Sequence, residues 1–302
     1  MNVPLLDLVA QYRAIKDEVL PAIQEVIESQ QFVMGPAVPR LEAAVAQLAG
    51  ATHGIACASG TDALLLPLMA LDLEPRDEVI APAFTFFATA GTIHNAGGTP
   101  VFVDIEPGTF NLDPAAVEAA ITPRTRAIVP VHLYGQMAAL ERLRKLRLHG
   151  GAKQYHHDEV GTNSRLDSLQ AAVLLAKLPH LASWSATRRE HAAYYTRALA
   201  DLPAVRPPAV DPVNEHIFHQ YTLRVERRDE LQAHLKRQGI GSAIYYPVPL
   251  HLQPCFSHLG YRPGRLPESE RASREVLSLP VYPELTRGQL DCVIETIRGF
   301  YR

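Results

Sequence analysis

The sequence has little of what usually assigns a chain to a specialised class. Its 302 residues hold three cysteines, Cys57, Cys255 and Cys292, far apart and without a CxxC pair. That pattern argues against a disulfide framework or a thiolate zinc site and suits reduced thiols in a cytoplasmic protein. No apolar run approaches the roughly 18 residues that span a bilayer, so no membrane association is expected. The start, Met1-Asn2-Val3-Pro4, shows no charged segment leading into an apolar stretch, and no signal peptide is expected. A basic excess is also missing: 29 Lys and Arg stand against 32 Asp and Glu, a formal net charge of −3. Nucleic acid is therefore not an expected partner. Neither GxGxxG nor GxxxxGK[ST] occurs, which removes two common nucleotide fingerprints. Repeats and low-complexity tracts are absent as well.

What remains is an ordinary globular composition, 47% hydrophobic and 20% charged, long enough for one large and one small domain. Helices are expected at 15–30 and 37–49; in the second, Val38, Leu41, Val45 and Leu48 share a face. From Thr52 short apolar strands alternate with helices. The strands fall at Gly54–Ala58, Glu78–Pro82, Pro100–Asp104 and Thr125–Tyr134, and the helices at Thr61–Leu71, Thr85–Asn95 and Ala115–Ile121. Asp113-Pro114 supplies the last of these with an N-cap and a first-turn proline. Such alternation predicts a parallel sheet covered by helices. Leu166–Tyr195 reads as a long helix broken near Pro179. Four prolines in 203–212 suggest a boundary, giving a large domain over 1–200 and a small α+β domain over 201–302. In the latter, strands at His216–Glu226 and Gly239–Tyr245 flank a helix at Asp229–Gln238, a loop-rich stretch covers 247–267, and helices lie at 268–276 and 286–299.

Several segments can carry chemistry. Ser59-Gly60-Thr61-Asp62 sits where a strand turns into a helix, so free amides and the helix dipole favour a phosphate there; an ordinary helix cap fits the same residues. Thr85-Phe86-Phe87 follows a strand at its C-terminal end, where ligands of parallel sheets bind. An aromatic ring there can stack on a flat heterocycle or simply fill the core. Asn163-Ser164-Arg165 is either a polar binding loop or a helix cap with a surface arginine. His156-His157-Asp158-Glu159 is a poor metal site, because adjacent side chains do not converge on one ion. His216 and His219, three apart on an expected strand, point to opposite faces. Tyr245-Tyr246-Pro247-Val248-Pro249-Leu250-His251 is a stiffened loop that displays Tyr and His.

The order of these segments is more telling than any one of them. FVMGP at 32–36, SGTDAL at 59–64, DEVIAPAFTFFAT at 77–89, VHLYGQ at 131–136, HGG at 149–151, VGTNSRLDSLQAAVL at 160–174 and YYPVPLHLQP at 245–254 occur in sequence. Together they closely resemble the DegT/DnrJ/StrS family of pyridoxal-phosphate sugar aminotransferases, over essentially the whole chain. The resemblance implies an α/β fold of the aspartate-aminotransferase type (fold type I) and a homodimer with sites at the subunit interface. It implies that Gly60, Thr61 and Asp62 hold the phosphate of pyridoxal 5′-phosphate and that Phe86 stacks on its ring. Asn163 would reach the phosphate of the neighbouring subunit, and Arg165 and His251 would lie near substrate. The implied partners are a nucleotide-diphosphate keto sugar, aminated at the sugar C3 position, and glutamate as amino donor.

Against that family the chain is short in one place. Between Gln136 and Gly150 lie only the thirteen residues Met137 to His149, with Lys145 as the sole amine and no Asp. Relatives carry there a strand whose Asp pairs with the pyridine nitrogen, a serine-containing segment leading to the Schiff-base lysine, and a glycine-rich strand. Roughly sixty residues are missing by comparison with the usual size of such two-domain chains. The remaining lysines, Lys16, Lys145, Lys153, Lys177 and Lys236, do not match the family motif. A truncated large-domain sheet with exposed apolar edges is expected, and covalent cofactor attachment is not. The family's transamination is then impaired or lost. The alternative is a non-catalytic protein that binds sugar nucleotides or serves as dimerisation partner of an intact paralogue.

Overall fold

The computed structural model describes residues 1–140 and 164–302. Expectations for Lys145, Lys153, His156–Glu159 and Asn163 lie outside the described residues. The rest falls into two compact units, one within Met1–Asp7, Leu71–Gly151 and Trp184–Arg302, the other within Leu8–Ala70 and Ala152–Ser183.

The second unit is helical. Helices α1 (Leu8–Ser29), α2 (Ala37–Ala49), α3 (Gly60–Met69) and α6 (Ser168–Lys177) belong to it. Ile15, Val19 and Val26 recur at helical spacing on the buried side of α1. Val26, Val38, Leu41, Ala171 and Ala172 form a common core. In α2 the buried stripe runs through Ala37, Val38, Leu41 and Ala46, while Val45 and Leu48 of the expected face are exposed. Gly50 ends α2 in a left-handed conformation (φ 62°), its N–H donating to the Ala46 and Gln47 carbonyls. Ser168 fastens the start of α6: its Oγ accepts from the Gly35 amide at 3.0 Å and its own amide donates to the Phe32 carbonyl at 2.9 Å. A Cβ at Gly35 would lie 2.3 Å from the Gln31 carbonyl oxygen, so only glycine fits there. No strand forms at Gly54–Ala58. The Ala56 amide donates instead to Glu42 Oε1 (2.8 Å) and the Ala58 amide to Ser164 Oγ (3.2 Å), so side chains take up donors that a strand would pair.

The first unit holds a parallel sheet of order β2-β1-β3, with β1 (Glu78–Pro82) between β2 (Thr99–Val103) and β3 (Thr125–Ile128). β1 is buried throughout and β3 only partly. Helices α4 (Ala88–Asn95) and α5 (Pro114–Ala120) follow β1 and β2, and Asp113 caps α5 by accepting from the Ala115 amide at 2.9 Å, as its sequence predicts. β3 stops at Ile128, short of the expected Tyr134. Pro130 has no N–H for a ladder, and the Leu133 amide donates to Asn111 Oδ1 (3.0 Å) as the chain turns into a 3-10 segment at Leu133–Gly135.

In the same unit an antiparallel sheet joins β4 (Val205–Arg206), β5 (Tyr221–Val225) and β6 (Val276–Leu279). Around it lie α7 (Leu181–Leu199), α8 (Arg228–Arg237), α9 (Pro267–Glu275) and α10 (Arg287–Tyr301). Its core contains Tyr195, Tyr221, Leu223, Leu231, Leu277 and Val293, all fully buried. Each such side chain contributes roughly 1.5–3 kcal/mol of transfer free energy. Ala192, Tyr195 and Leu199 of α7 are also in this core. The expected long helix is broken by a 3-10 turn at Leu178–His180 around Pro179. His216 and His219 precede β5 instead of lying on it, and the strand expected at Gly239–Tyr245 reduces to single bridges at Ile240 and Ala243. β6 occupies residues adjoining the helix expected at 268–276.

Candidate cofactor and substrate site

Ser59 is extended (φ −157°, ψ 165°) and caps α3: its Oγ accepts from the Asp62 amide at 3.1 Å and donates to Asp62 Oδ2 at 2.9 Å. The capping reading of SGTD therefore holds, and it is compatible with phosphate recognition. The Gly60 and Thr61 amides lie in the first turn, where α-helical N–H groups have no intrahelical partner. The Asp62 amide, by contrast, is spent on Ser59. No atom of the described residues lies within 4 Å of a Cβ built on Gly60, so among them nothing bars a ligand from its backbone. Ser59→Ala is expected to lower stability by about 1 kcal/mol and Ser59→Gly by only a few tenths, read as shifts of the urea midpoint.

The bond from Ala58 to Ser164 brings the segment before α6 against this turn, so the exposed Arg165 follows directly on a residue that touches it. Asp167 caps α6, accepting from the Gln170 amide at 2.9 Å. Asn163 is outside the described residues.

In the other unit, Phe86 and Phe87 emerge beyond the end of β1, 59% and 48% exposed, while Phe84 is fully buried. The core reading of the pair is thus replaced by that of aromatics displayed at the sheet's C-terminal end. The Phe86 ring lies 6.4 Å from that of Tyr246, tilted by 41°, and Tyr246 also meets Phe84 edge-on at 6.0 Å. The Tyr134 hydroxyl donates to the Tyr245 carbonyl, tying the 245–250 loop to the segment after β3. The peptide between Tyr245 and Tyr246 is cis. Tyr246 is the residue of this loop that faces Phe86; the doubled tyrosine before two prolines was its only sequence signal.

His251, expected near substrate, is instead interior, 1% exposed. Its Nε2 is 3.1 Å from Glu270 Oε1, and both Glu270 oxygens accept from the Gly264 amide. Burial lowers the His251 pKa, opposed by the Glu270 carboxylate. The residue pins the loop to α9 and offers substrate no surface. Asp104, which sequence reasoning passed over, caps α9 from a distance: its carboxylate accepts from the Glu268 and Ser269 amides and the Ser269 hydroxyl. No local pattern marks it, because its partners lie more than 160 residues away. Gln136 and Asn111 anchor the approach to the short segment. Gln136 bonds Ala209 and Asp211, and Asn111 Nδ2 donates to the Gln136 and Met137 carbonyls.

The phosphate end of a pyridoxal cofactor fits the open first turn of α3. For the amine end the described residues offer no match: their lysines are Lys16 on α1, Lys177 at the end of α6 and Lys236 on α8, none at the C-terminal end of a parallel strand. Among the described residues no group of three His, Cys, Asp or Glu is placed to hold a metal, and no helix is long and apolar enough to cross a membrane.

A pleiotropic regulatory protein of Geobacillus stearothermophilus is 45% identical, over 100% of this chain and 99% of its own. A UDP-N-acetyl-3-dehydro-alpha-D-glucosamine 3-aminotransferase of Acidithiobacillus ferrooxidans is 38% identical over 98% and 97%. The crystal structure of Streptomyces venezuelae DesV, in complex with a ketimine intermediate, superposes with a TM-score of 0.94 at 36% identity, covering 100% of this chain and 99% of DesV. The Geobacillus alignment runs to 371 positions against 302 residues here, so the shortfall is internal. The DegT/DnrJ/EryC1/StrS aminotransferase profile matches in two pieces, 13–147 and 138–298, that meet over the short segment. Since the two pieces together cover most of the sequence, the chain belongs to the DegT/DnrJ/EryC1/StrS aminotransferase family.

Proposed function

We propose that this chain is a nucleotide-sugar aminotransferase by descent that keeps recognition of the cofactor phosphate and of a nucleotide-diphosphate keto sugar but does not carry out transamination. One observation carries the reading. The chain spans nucleotide-sugar aminotransferases from end to end, yet no described lysine stands where a cofactor would be held and none of its five lysines matches the family motif. When bound, pyridoxal phosphate supplies an electron sink for amino-group transfer. The residues of this chain supply the rest only in part. The Gly60 and Thr61 amides hold the phosphate, Phe86 offers a ring face, and Arg165 offers charge to a diphosphate; among the described residues no group is in place to hold and move the proton. Glutamate as amino donor, C3 as the aminated position, a homodimer and a cytoplasmic location belong to the same reading.

Two measurements test it. Purified chain mixed with pyridoxal phosphate and reduced with borohydride is expected to give no lysine modified in stoichiometric amount by peptide mapping. One modified lysine per chain would overturn the proposal. In calorimetry, pyridoxamine phosphate is expected to bind weakly, and Gly60→Val to abolish binding by filling the approach to the backbone. Since a Cβ at residue 60 meets no atom of the described residues, the variant keeps its fold, and equal binding by both proteins would remove the phosphate site from the reading.

A further inference from the structure

A concentration of positive charge lies wholly within the unit that carries the antiparallel sheet. Arg206 of β4 and Arg224 of β5 are register partners across the antiparallel pair. Like charges directly opposite one another on paired strands destabilise the pair, so the arrangement has a cost that something must offset. Arg271 of α9 joins them around a cavity of about 250 Å³ whose remaining walls include Pro107, Phe110 and Pro207. Among the described residues no carboxylate lines it. A neighbouring cavity of about 360 Å³ shares the same three arginines and adds Arg227, Arg228 and Arg274 together with Glu226 and Glu275.

Arg224 is the central member. Its side chain is only 8% exposed, and its guanidinium lies over the Phe110 ring at 4.7 Å from the centroid. Glu275 accepts from Nη1 at 3.1 Å, and Glu268 stands 3.7 Å from Nη2. Even so, Arg224 Nε and Nη2 and Arg271 Nε are buried without a hydrogen-bond acceptor. Burial lowers the Arg224 pKa; Glu275 and Glu268 oppose that, and the charge of Arg271 adds to it. Two carboxylates thus face three arginines, and the buried donors remain unmatched. A buried donor left unpaired costs about 1–3 kcal/mol, which an incoming acceptor relieves.

We propose that Arg206, Arg224 and Arg271 form a second anion site, independent of the α3 turn, that takes a dianionic phosphate group carried on a small molecule. Guanidinium groups from three separate elements approach from different directions. A tetrahedral phosphate presents several terminal oxygens to such a set, whereas one planar carboxylate is satisfied by a single guanidinium fork. Pro107 and Pro207 beside the Phe110 ring give the cavity apolar walls against which the rest of such a molecule can lie.

The test is calorimetric titration with inorganic pyrophosphate, at fixed ionic strength, of the full chain carrying Gly60→Val, which closes the α3 turn to phosphate and leaves this site alone to bind. One-site binding is expected, weakened about tenfold in Arg206→Gln, the loss of one charge-assisted hydrogen bond. Arg206 is exposed, so that variant keeps its fold. Arg224→Met, with unchanged circular dichroism, is expected to bind more weakly still. Arg237→Gln removes a charge on α8 that does not line the cavity and is expected to leave binding unchanged. Absence of saturable binding, equal weakening by Arg237→Gln, or equal affinity for glutarate would each overturn the proposal.

Discussion

A chain rebuilt by inserting, between Gln136 and Gly150, the segment that full-length relatives carry there is expected to gain transaminase activity that the native chain lacks. The flanks are prepared for it. On one side Gln136 is buried and held by Ala209 and Asp211, while His132 Nδ1 accepts from the Ala138 amide at 3.1 Å. On the other, Ser164 meets Ala58 and Ser168 is fastened to Phe32 and Gly35. The insert would supply a lysine that holds the cofactor and shuttles its proton, and an Asp for the pyridine nitrogen. Proton transfer by a positioned group is alone worth on the order of 10²–10⁴ in rate, so the rebuilt chain should exceed the native one by at least that factor in a coupled glutamate-consumption assay. A Lys→Ala change within the insert should return the rate to the native level. Comparable turnover by the native chain would show that one of its own lysines already does the chemistry, and the proposed loss of catalysis would fall.

Much of this was legible from residues because the signals are local. Asp113-Pro114 names a helix start that requires only neighbours, and it formed as read. The same holds for Glu78–Pro82, a short apolar run bounded by charge and proline. Gly54–Ala58 has equal strand character, but a strand exists only through a partner, and its donors went to Glu42 and Ser164. β6 illustrates the reverse: Val276–Leu279 follows a helix without a turn signal and becomes a strand because β5 pairs with it. At the site, helix-cap chemistry made SGTD readable, whereas His251 depended on a distant glutamate. Nothing near its position foretells that Glu270 will draw the imidazole inward, away from substrate. The arginine cluster was invisible for the same reason, since Arg206, Arg224 and Arg271 are ordinary surface-type residues until strand register and α9 bring them together.

Acid is expected to destabilise the fold well before its carboxylates protonate, and His216 is the main cause. The ring is 4% exposed, stacks on Phe218 at 3.8 Å and 13°, and accepts the Phe218 amide on Nδ1 at 3.0 Å. Burial, with a smaller contribution from the charge of His219, pushes its pKa from 6.5 down to about 4. Above pH 6.5 the imidazole is neutral in both folded and unfolded chains, so it contributes no pH dependence. Between 6.5 and 4 the unfolded chain binds a proton that the folded chain refuses, and stability falls as pH falls. Each unit corresponds to about 1.4 kcal/mol, giving about 3 kcal/mol over the interval from this residue. His191 and His219, whose pKa values burial also lowers, act in the same direction. Urea midpoints measured from pH 8 to pH 4 should therefore drop steeply below 6.5. His216→Asn keeps a side-chain acceptor for the amide two residues on, an Asx turn, but does not titrate. It should be somewhat less stable at pH 8 and lose most of the slope. An unchanged slope in that variant, with the denaturant dependence also unchanged, would place the acid sensitivity elsewhere.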